Sequence, residues 1–119
     1  MADVLRAFGL AAAVPGHPFY VSDEEHEKTY KATVTAAGTL SDVQLFANQG
    51  GESVVQDKEG NVYLAAGQVM VYNPQGQLVD TINIPERPID LVFGGPERRT
   101  LYILTHRSLY AVETRVGGL

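Results

Sequence analysis

An all-β fold, specifically a β-propeller fragment of about three four-stranded blades, is the class this sequence predicts. Short apolar runs rich in Val, Ile, Tyr and Thr alternate with turn signals of Gly, Asn and Pro, most densely from Gly50 to Pro85. All six tyrosines fall into three pairs, Tyr20 and Tyr30, Tyr63 and Tyr72, Tyr102 and Tyr110, with first members 43 and 39 residues apart. Around them HPFYVSD, GNVYLAAG and RTLYILTH line up. That period with four strands per unit suits propeller blades, because a helical solenoid would carry a 3.6-residue periodicity that is missing here.

The elements follow in order. Met1 to Val14, MADVLRAFGLAAAV, admits a secretory signal, a short helix or a blade's first strand. The repeat favours the third reading, with a strand over Gly9 to Val14 and a turn at Pro15-Gly16-His17. Phe19 to Ser22, Tyr30 to Thr35 and Leu40 to Ala47 complete that blade, with the charged loop DEEHEK between its second and third strands. The central blade reads Ser53 to Gln56, Val62 to Ala66, Val69 to Tyr72 and Leu78 to Ile84, broken at Lys58-Glu59-Gly60-Asn61, Gly67-Gln68 and Asn73-Pro74-Gln75-Gly76. Pro85-Glu86-Arg87-Pro88 stiffens the crossing to Ile89 to Phe93, Leu101 to Thr105 and Leu109 to Thr114. One domain with blades at 3–48, 49–87 and 88–119 results, the last without its own outer strand.

A closed propeller needs roughly four to eight blades, so three would leave two uncovered sheet faces. The expected partner is a second copy. In a head-to-tail homodimer each Asp3 to Ala7 segment would add the missing strand to its neighbour, giving roughly six blades. The net charge of −5 argues against nucleic acid, which calls for a basic stripe. No apolar run approaches the roughly 20 residues of a membrane span. The absence of cysteine excludes disulfides and thiolate metal sites. A cytoplasmic setting is the expectation, with a signal peptide at residues 1–14 as the alternative.

From about Phe19 to Gly117 the chain resembles the C-terminal half of the senescence marker protein (SMP-30), gluconolactonase and regucalcin family of six-bladed propellers. The resemblance is carried by VVQDKEGNVYLAAG (Val54 to Gly67), VYNPQGQLVDTINIP (Val71 to Pro85) and LVFGGPERRTLYILTHRSLYAV (Leu91 to Val112). It implies a hydrolase acting on lactones, with calcium or zinc held on the propeller axis by oxygen ligands. Where the family often has Ser-Asn-Gly-Leu with Asn as ligand, this chain has Ala7-Phe8-Gly9-Leu10, and Phe8 binds no metal. Where the family has an Asp-Gly whose Asp is ligand and base, the chain has Glu52-Ser53. Glu52 is accordingly the expected metal ligand and catalytic carboxylate.

Chain direction places the starts of first strands and the loops between second and third strands at one mouth of a propeller. Glu52, Asp90, Gln68, His26, His106 and Arg107 are brought to that mouth, and His106, Arg107, Asp90 and Gln68 are the expected substrate contacts. Simpler roles compete with these: a solvated strand start for Glu52, an exposed turn for His106 and Arg107, a solvated loop for DEEHEK. Asp23 and Asp57 read as turn-stabilising carboxylates. Ser53 lacks the strand-to-helix elbow of a nucleophile, and Phe93-Gly94-Gly95-Pro96 lacks the Lys-Ser/Thr of a phosphate loop. Against the lactonase stands a truncated or designed propeller fragment that self-assembles without catalysis.

Overall fold

The computed structural model describes residues 7–10 as a strand and residues 16–119 throughout. They form three antiparallel sheets, each a meander whose spatial order follows the chain. The first holds β1 (Ala7–Leu10), β2 (Pro18–Asp23), β3 (Lys28–Val34) and β4 (Leu40–Ala47). The second holds β5 (Val54–Gln56), β6 (Val62–Ala66), β7 (Gln68–Tyr72) and β8 (Leu78–Ile82). The third holds β9 (Asp90–Gly94), β10 (Thr100–Leu104) and β11 (Leu109–Glu113), with a short 3-10 turn at Pro96–Arg98.

Alternation along the strands decides which way each sheet packs. In β6, Val62 and Leu64 face the first sheet and join Tyr20 and Val54, while Tyr63 and Ala65 face the third and join Leu91, Phe93, Leu101 and Ile103. All of these are buried, and full burial of each aliphatic side chain contributes about 1.5 to 3 kcal/mol. Edge-to-face aromatic pairs cross both seams, Phe46 on Tyr72 with centroids 6.4 Å apart and Tyr63 on Phe93 at 5.2 Å, and within the first sheet Tyr20 stands edge-on to Phe46 at 5.0 Å. Tyr20, Tyr63 and Tyr102 therefore occupy the same station, the third position of β2, the second of β6 and the third of β10, and the first two point at the sheet that follows.

The hairpin between β5 and β6 is closed by one carboxylate. Asp57 Oδ1 accepts the backbone N–H groups of Glu59 and Asn61 at 2.9 and 3.0 Å, and Oδ2 accepts Asn61 Nδ2 at 3.0 Å and the Tyr63 hydroxyl at 3.2 Å. Asp57 is only 1 % exposed, so these four donors replace its water.

The expected strand bounds need correction at this end. The first strand is described over Ala7–Leu10 and so starts before the expected Gly9: Ala7 pairs with Asp23 and Leu10 with Val21, with an irregularity between Ala7 and Gly9, while residues 11–14 of the expected strand lie outside the described residues. Ala7 is thus already paired within its own chain and is not free to pair with a neighbour's last blade, while residues 3–6 of that segment lie outside the described residues. Of residues 1–14, the described part, residues 7–10, is strand, the reading the repeat favours over a helix. The last residues also do more than stop. The Lys58 N–H donates to the Gly117 carbonyl at 2.9 Å and the Leu119 N–H to Gln56 at 3.0 Å, so this tail returns to the second sheet. Among the described residues no helix is long and apolar enough to cross a membrane.

Candidate functional site

Glu52 stands immediately before the second sheet, where its N–H donates to the Ala65 carbonyl at 2.9 Å and anchors the start of β5 beside β6. Gly51 precedes it so tightly against that carbonyl that an added Cβ would overlap the oxygen. The backbone is thereby fixed and the carboxylate is aimed at the end of the sheet stack where the loop between β2 and β3 lies. There Arg87 Nη2 donates to Glu24 Oε1 at 2.8 Å and Arg87 Nε lies 3.7 Å from Glu52 Oε2. The latter distance is an ion pair and not a hydrogen bond. Glu52 Oε2 is itself buried and accepts no hydrogen bond, although the side chain as a whole is 27 % exposed.

A cleft of about 330 Å³ opens beside this pair, lined by Glu24, Glu25, Glu27, Gly51, Gly67 and Arg87. Its rim is acidic with one guanidinium in it. A larger depression, about 430 Å³, lies around Asp57, Tyr63, Asp80 and Glu113 at the opposite end of the sheets. It joins the Asp57 hairpin to Asp80 of β8 and Glu113 of β11, and none of the sequence-predicted site residues lines it.

The other sequence-predicted residues are placed as follows. Asp90 Oδ1 accepts the Ser53 hydroxyl and the Leu91 N–H, both at 2.9 Å, which ties the start of β9 to the start of β5. Gln68 opens β7, and its Oε1 accepts the Ile84 N–H at 2.8 Å, leaving the amide nitrogen as its remaining donor. His106 and Arg107 are exposed in the turn between β10 and β11. That turn is set by Thr105, whose hydroxyl accepts the N–H groups of Arg107 and Ser108 at 3.3 and 3.0 Å and donates to Glu86 Oε1 at 2.7 Å. Hydrogen bonds, first from Thr105 and then Ser108, hold the Glu86 carboxyl below the usual glutamate value. His26 Nδ1 lies 3.2 Å from the buried Asp23, whose Oδ1 also accepts the His26 N–H at 3.1 Å, a local turn contact.

Glu52 and Asp90 are thus linked through Ser53, and Glu52 meets the DEEHEK loop through Arg87. Among the described residues, no hydrogen bond or ion pair joins His106, Arg107 or Gln68 to Glu52. Sequence reasoning missed Arg87 and Glu24, the residues in contact with one another at Glu52. Arg87 sits between two prolines in a segment read only as a stiff crossing, and its charge was the available signal.

The regucalcin and gluconolactonase likeness raises a divalent cation, and the residues present can be tested against it. Glu52 offers one oxygen without a hydrogen bond, but its nearest charged neighbour is a guanidinium, and the described residues contain no group of three His, Cys, Asp or Glu placed to hold an ion. By themselves these residues do not fit a metal.

A family profile described as the SMP-30/Gluconolactonase/LRE-like region matches residues 4–107. A 6-deoxy-6-sulfogluconolactonase of Pseudomonas putida is 31 % identical over 121 residues, covering 93 % of this chain and 42 % of that protein. An X-ray structure of a provisionally assigned gluconolactonase superposes with a TM-score of 0.85 at 30 % identity, over 98 % of this chain and 41 % of the other. A calcium-binding protein, regucalcin, from Agrobacterium tumefaciens gives 0.81 at 17 % identity, over 98 % and 48 %, a likeness of fold. The chain spans less than half the length of each of these relatives.

Proposed function

The chain belongs to the SMP-30/gluconolactonase/LRE-like family, and from that premise we propose that it takes part in hydrolysing a sugar-type lactone with Glu52 as the reacting carboxylate. The observation that carries the reading is the buried Glu52 oxygen that accepts no hydrogen bond, next in sequence to Gly51 and paired with Arg87, both of which line an open polar cleft. A carboxylate held this way is a proton acceptor in waiting.

Glu52 takes a proton from water as the water oxygen attacks the lactone carbonyl. The ring C–O bond then breaks, and the same proton passes to the departing ring oxygen, giving a hydroxy acid. Arg87, 3.7 Å from Glu52, offers a positive partner to the carbonyl oxygen as charge develops there. Arg107 supplies an exposed guanidinium and His106 an exposed imidazole as hydrogen-bonding contacts for an acidic substituent, such as that of the relative named for a sulfonated lactone. Gln68 contributes its amide nitrogen and Asp90 a carboxylate beside Ser53.

A second reading, a propeller fragment without catalysis, is favoured by one feature: Arg87 already occupies the charge partner's place beside Glu52. One experiment separates the two. Hydrolysis of gluconolactone and a sulfonated analogue is followed by pH-stat for the native chain and Glu52→Gln, with bound metal measured on the same samples. Turnover above the spontaneous rate that disappears in Glu52→Gln supports the lactonase. Rates equal to background, with no metal bound, leave the non-catalytic fragment.

A further inference from the structure

Two prolines bracket the crossing from the second sheet to the third, and between them stand an acid and a base, Glu86 and Arg87. Pro85 has a fixed φ and Pro88 restricts the residue before it, so both ends of the pair are stiffened. The two side chains reach different sheets. Arg87 donates to Glu24 of the loop after β2 and stands 3.7 Å from Glu52 at the start of the second sheet. Glu86 reaches the third sheet, where its Oε1 accepts the Thr105 hydroxyl at 2.7 Å and the Tyr110 hydroxyl at 3.2 Å. Two adjacent residues thereby tie all three sheets together.

What Glu86 holds is the turn that carries His106 and Arg107. Thr105 is buried, and its hydroxyl accepts the N–H groups of Arg107 and Ser108. That hydroxyl has one proton to give and two acceptors in reach, the Glu86 carboxylate at 2.7 Å and the Ser108 carbonyl at 3.2 Å. The shorter, charge-assisted bond prevails, so the turn is fastened to Glu86. The Ile89 N–H donates to the Leu104 carbonyl at 2.8 Å and holds the far side of the crossing to the same end of β10. Hydrogen bonds from Thr105 first and then Ser108, with the charge of Arg107 adding least, hold the Glu86 carboxyl below the usual glutamate value, so the acceptor is an anion at neutral pH.

Resting on the lactonase reading of the Glu52 cleft, we infer that Glu86 is a positioning residue: it fixes the turn bearing His106 and Arg107 relative to Arg87, and so sets the affinity for a lactone with an acidic substituent. Glu86 touches no substrate itself. Its two hydroxyl donors lie on either side of that turn, and its own chain neighbour is the guanidinium beside Glu52. Arg87 keeps separate anchors at Glu24 and Glu52, so loss of the Glu86 carboxylate frees the turn and leaves the reacting pair in place.

Glu86→Ala and Glu86→Gln are compared with the native chain, Gln keeping an oxygen acceptor for Thr105 and Tyr110. In the pH-stat assay Glu86→Ala should raise KM for the sulfonated lactone on the order of tenfold, one weakened contact's worth, at unchanged kcat. KM for gluconolactone should stay as it was, and Glu86→Gln should behave as the native chain. No rise, or an equal rise for both lactones, overturns the inference. Amide hydrogen exchange followed by NMR decides without turnover: the Arg107 and Ser108 N–H groups should exchange on the order of tenfold faster in Glu86→Ala and at the native rate in Glu86→Gln. Native exchange in Glu86→Ala overturns the inference. Faster exchange in a chain whose native form hydrolyses neither lactone would sink the lactonase reading and leave the hold of Glu86 on the turn standing.

Discussion

Arg87 Nε stands 3.7 Å from Glu52 Oε2 while its Nη2 donates to Glu24 at 2.8 Å, so one guanidinium bridges the loop after β2 and the start of the second sheet. Both contacts are partly solvated, with Arg87 56 % exposed, and a pair of that kind stabilises a fold by no more than about 1 kcal/mol. Arg87→Ala is therefore expected to leave the thermal midpoint almost unchanged. Its effect should appear in the proposed lactone hydrolysis, because the positive partner beside Glu52 is gone. The pH-stat rate of Arg87→Ala is expected to fall below that of the native chain, and an unchanged rate would contradict that role.

Asp57 makes a different prediction because it is buried. Asp57→Ala leaves the Tyr63 hydroxyl, Asn61 Nδ2 and two backbone N–H groups without their acceptor. Stranding such donors costs about 1 to 3 kcal/mol for each that stays dry, and water will reach those in the turn. A net loss of about 3 kcal/mol, or a fall in Tm on the order of 10 °C, is expected by differential scanning calorimetry. Asp57→Asn keeps the shape and one acceptor oxygen and should lose less.

The extent to which the sequence disclosed this arrangement depends on how local each feature is. Strands β4 and β6 were legible because Val, Leu and Tyr alternate between Gly and Asn turns, and the observed ranges, Leu40–Ala47 and Val62–Ala66, equal the expected ones. The Asp57 turn was legible because its donors lie within six residues of it. The first strand was misplaced since Leu10 to Val14 is apolar throughout and gives no alternation from which to set a register. The bridge from Arg87 to Glu24 was not legible, because 63 residues separate the pair and only the packing of the first sheet on the second brings them together. Glu52 was singled out by a family motif alone, and the burial of its Oε2 without a hydrogen bond is visible only in the fold.

Gly51 tests the geometry that aims Glu52. Its Cα approaches the Ala65 carbonyl so closely that a methyl group has no room unless the backbone of β6 moves. Gly51→Ala should destabilise the chain by about 1 to 3 kcal/mol, the usual range for overpacking. In the lactonase reading it should also lower kcat, because Glu52 moves with the displaced backbone. Chemical denaturation and the pH-stat assay on one preparation would measure both effects, and an unaltered Cm would refute the close approach.

Alkaline unfolding follows from the tyrosines. Burial first, then the charge and the hydrogen bond of Asp57, raise the Tyr63 phenol above its ordinary value of 10.0, and burial raises Tyr20 and Tyr72 in the same direction. The folded state thus binds these protons more tightly than the unfolded state. Their stabilising contribution is complete below pH 10 and is lost as pH rises from there toward the folded values. Glu86 acts in the opposite sense: its lowered folded value gives stability that is present above pH 4.5 and lost as pH falls through the folded value. Circular dichroism across both limbs should show unfolding on the alkaline side that becomes shallower in Tyr63→Phe, since one coupled proton is removed. Glu86→Gln should flatten the acid limb and leave the alkaline one as it was. If Tyr63→Phe left the alkaline limb unchanged, the phenol would have to be solvated in the folded chain and the Asp57 hydrogen bond would be absent.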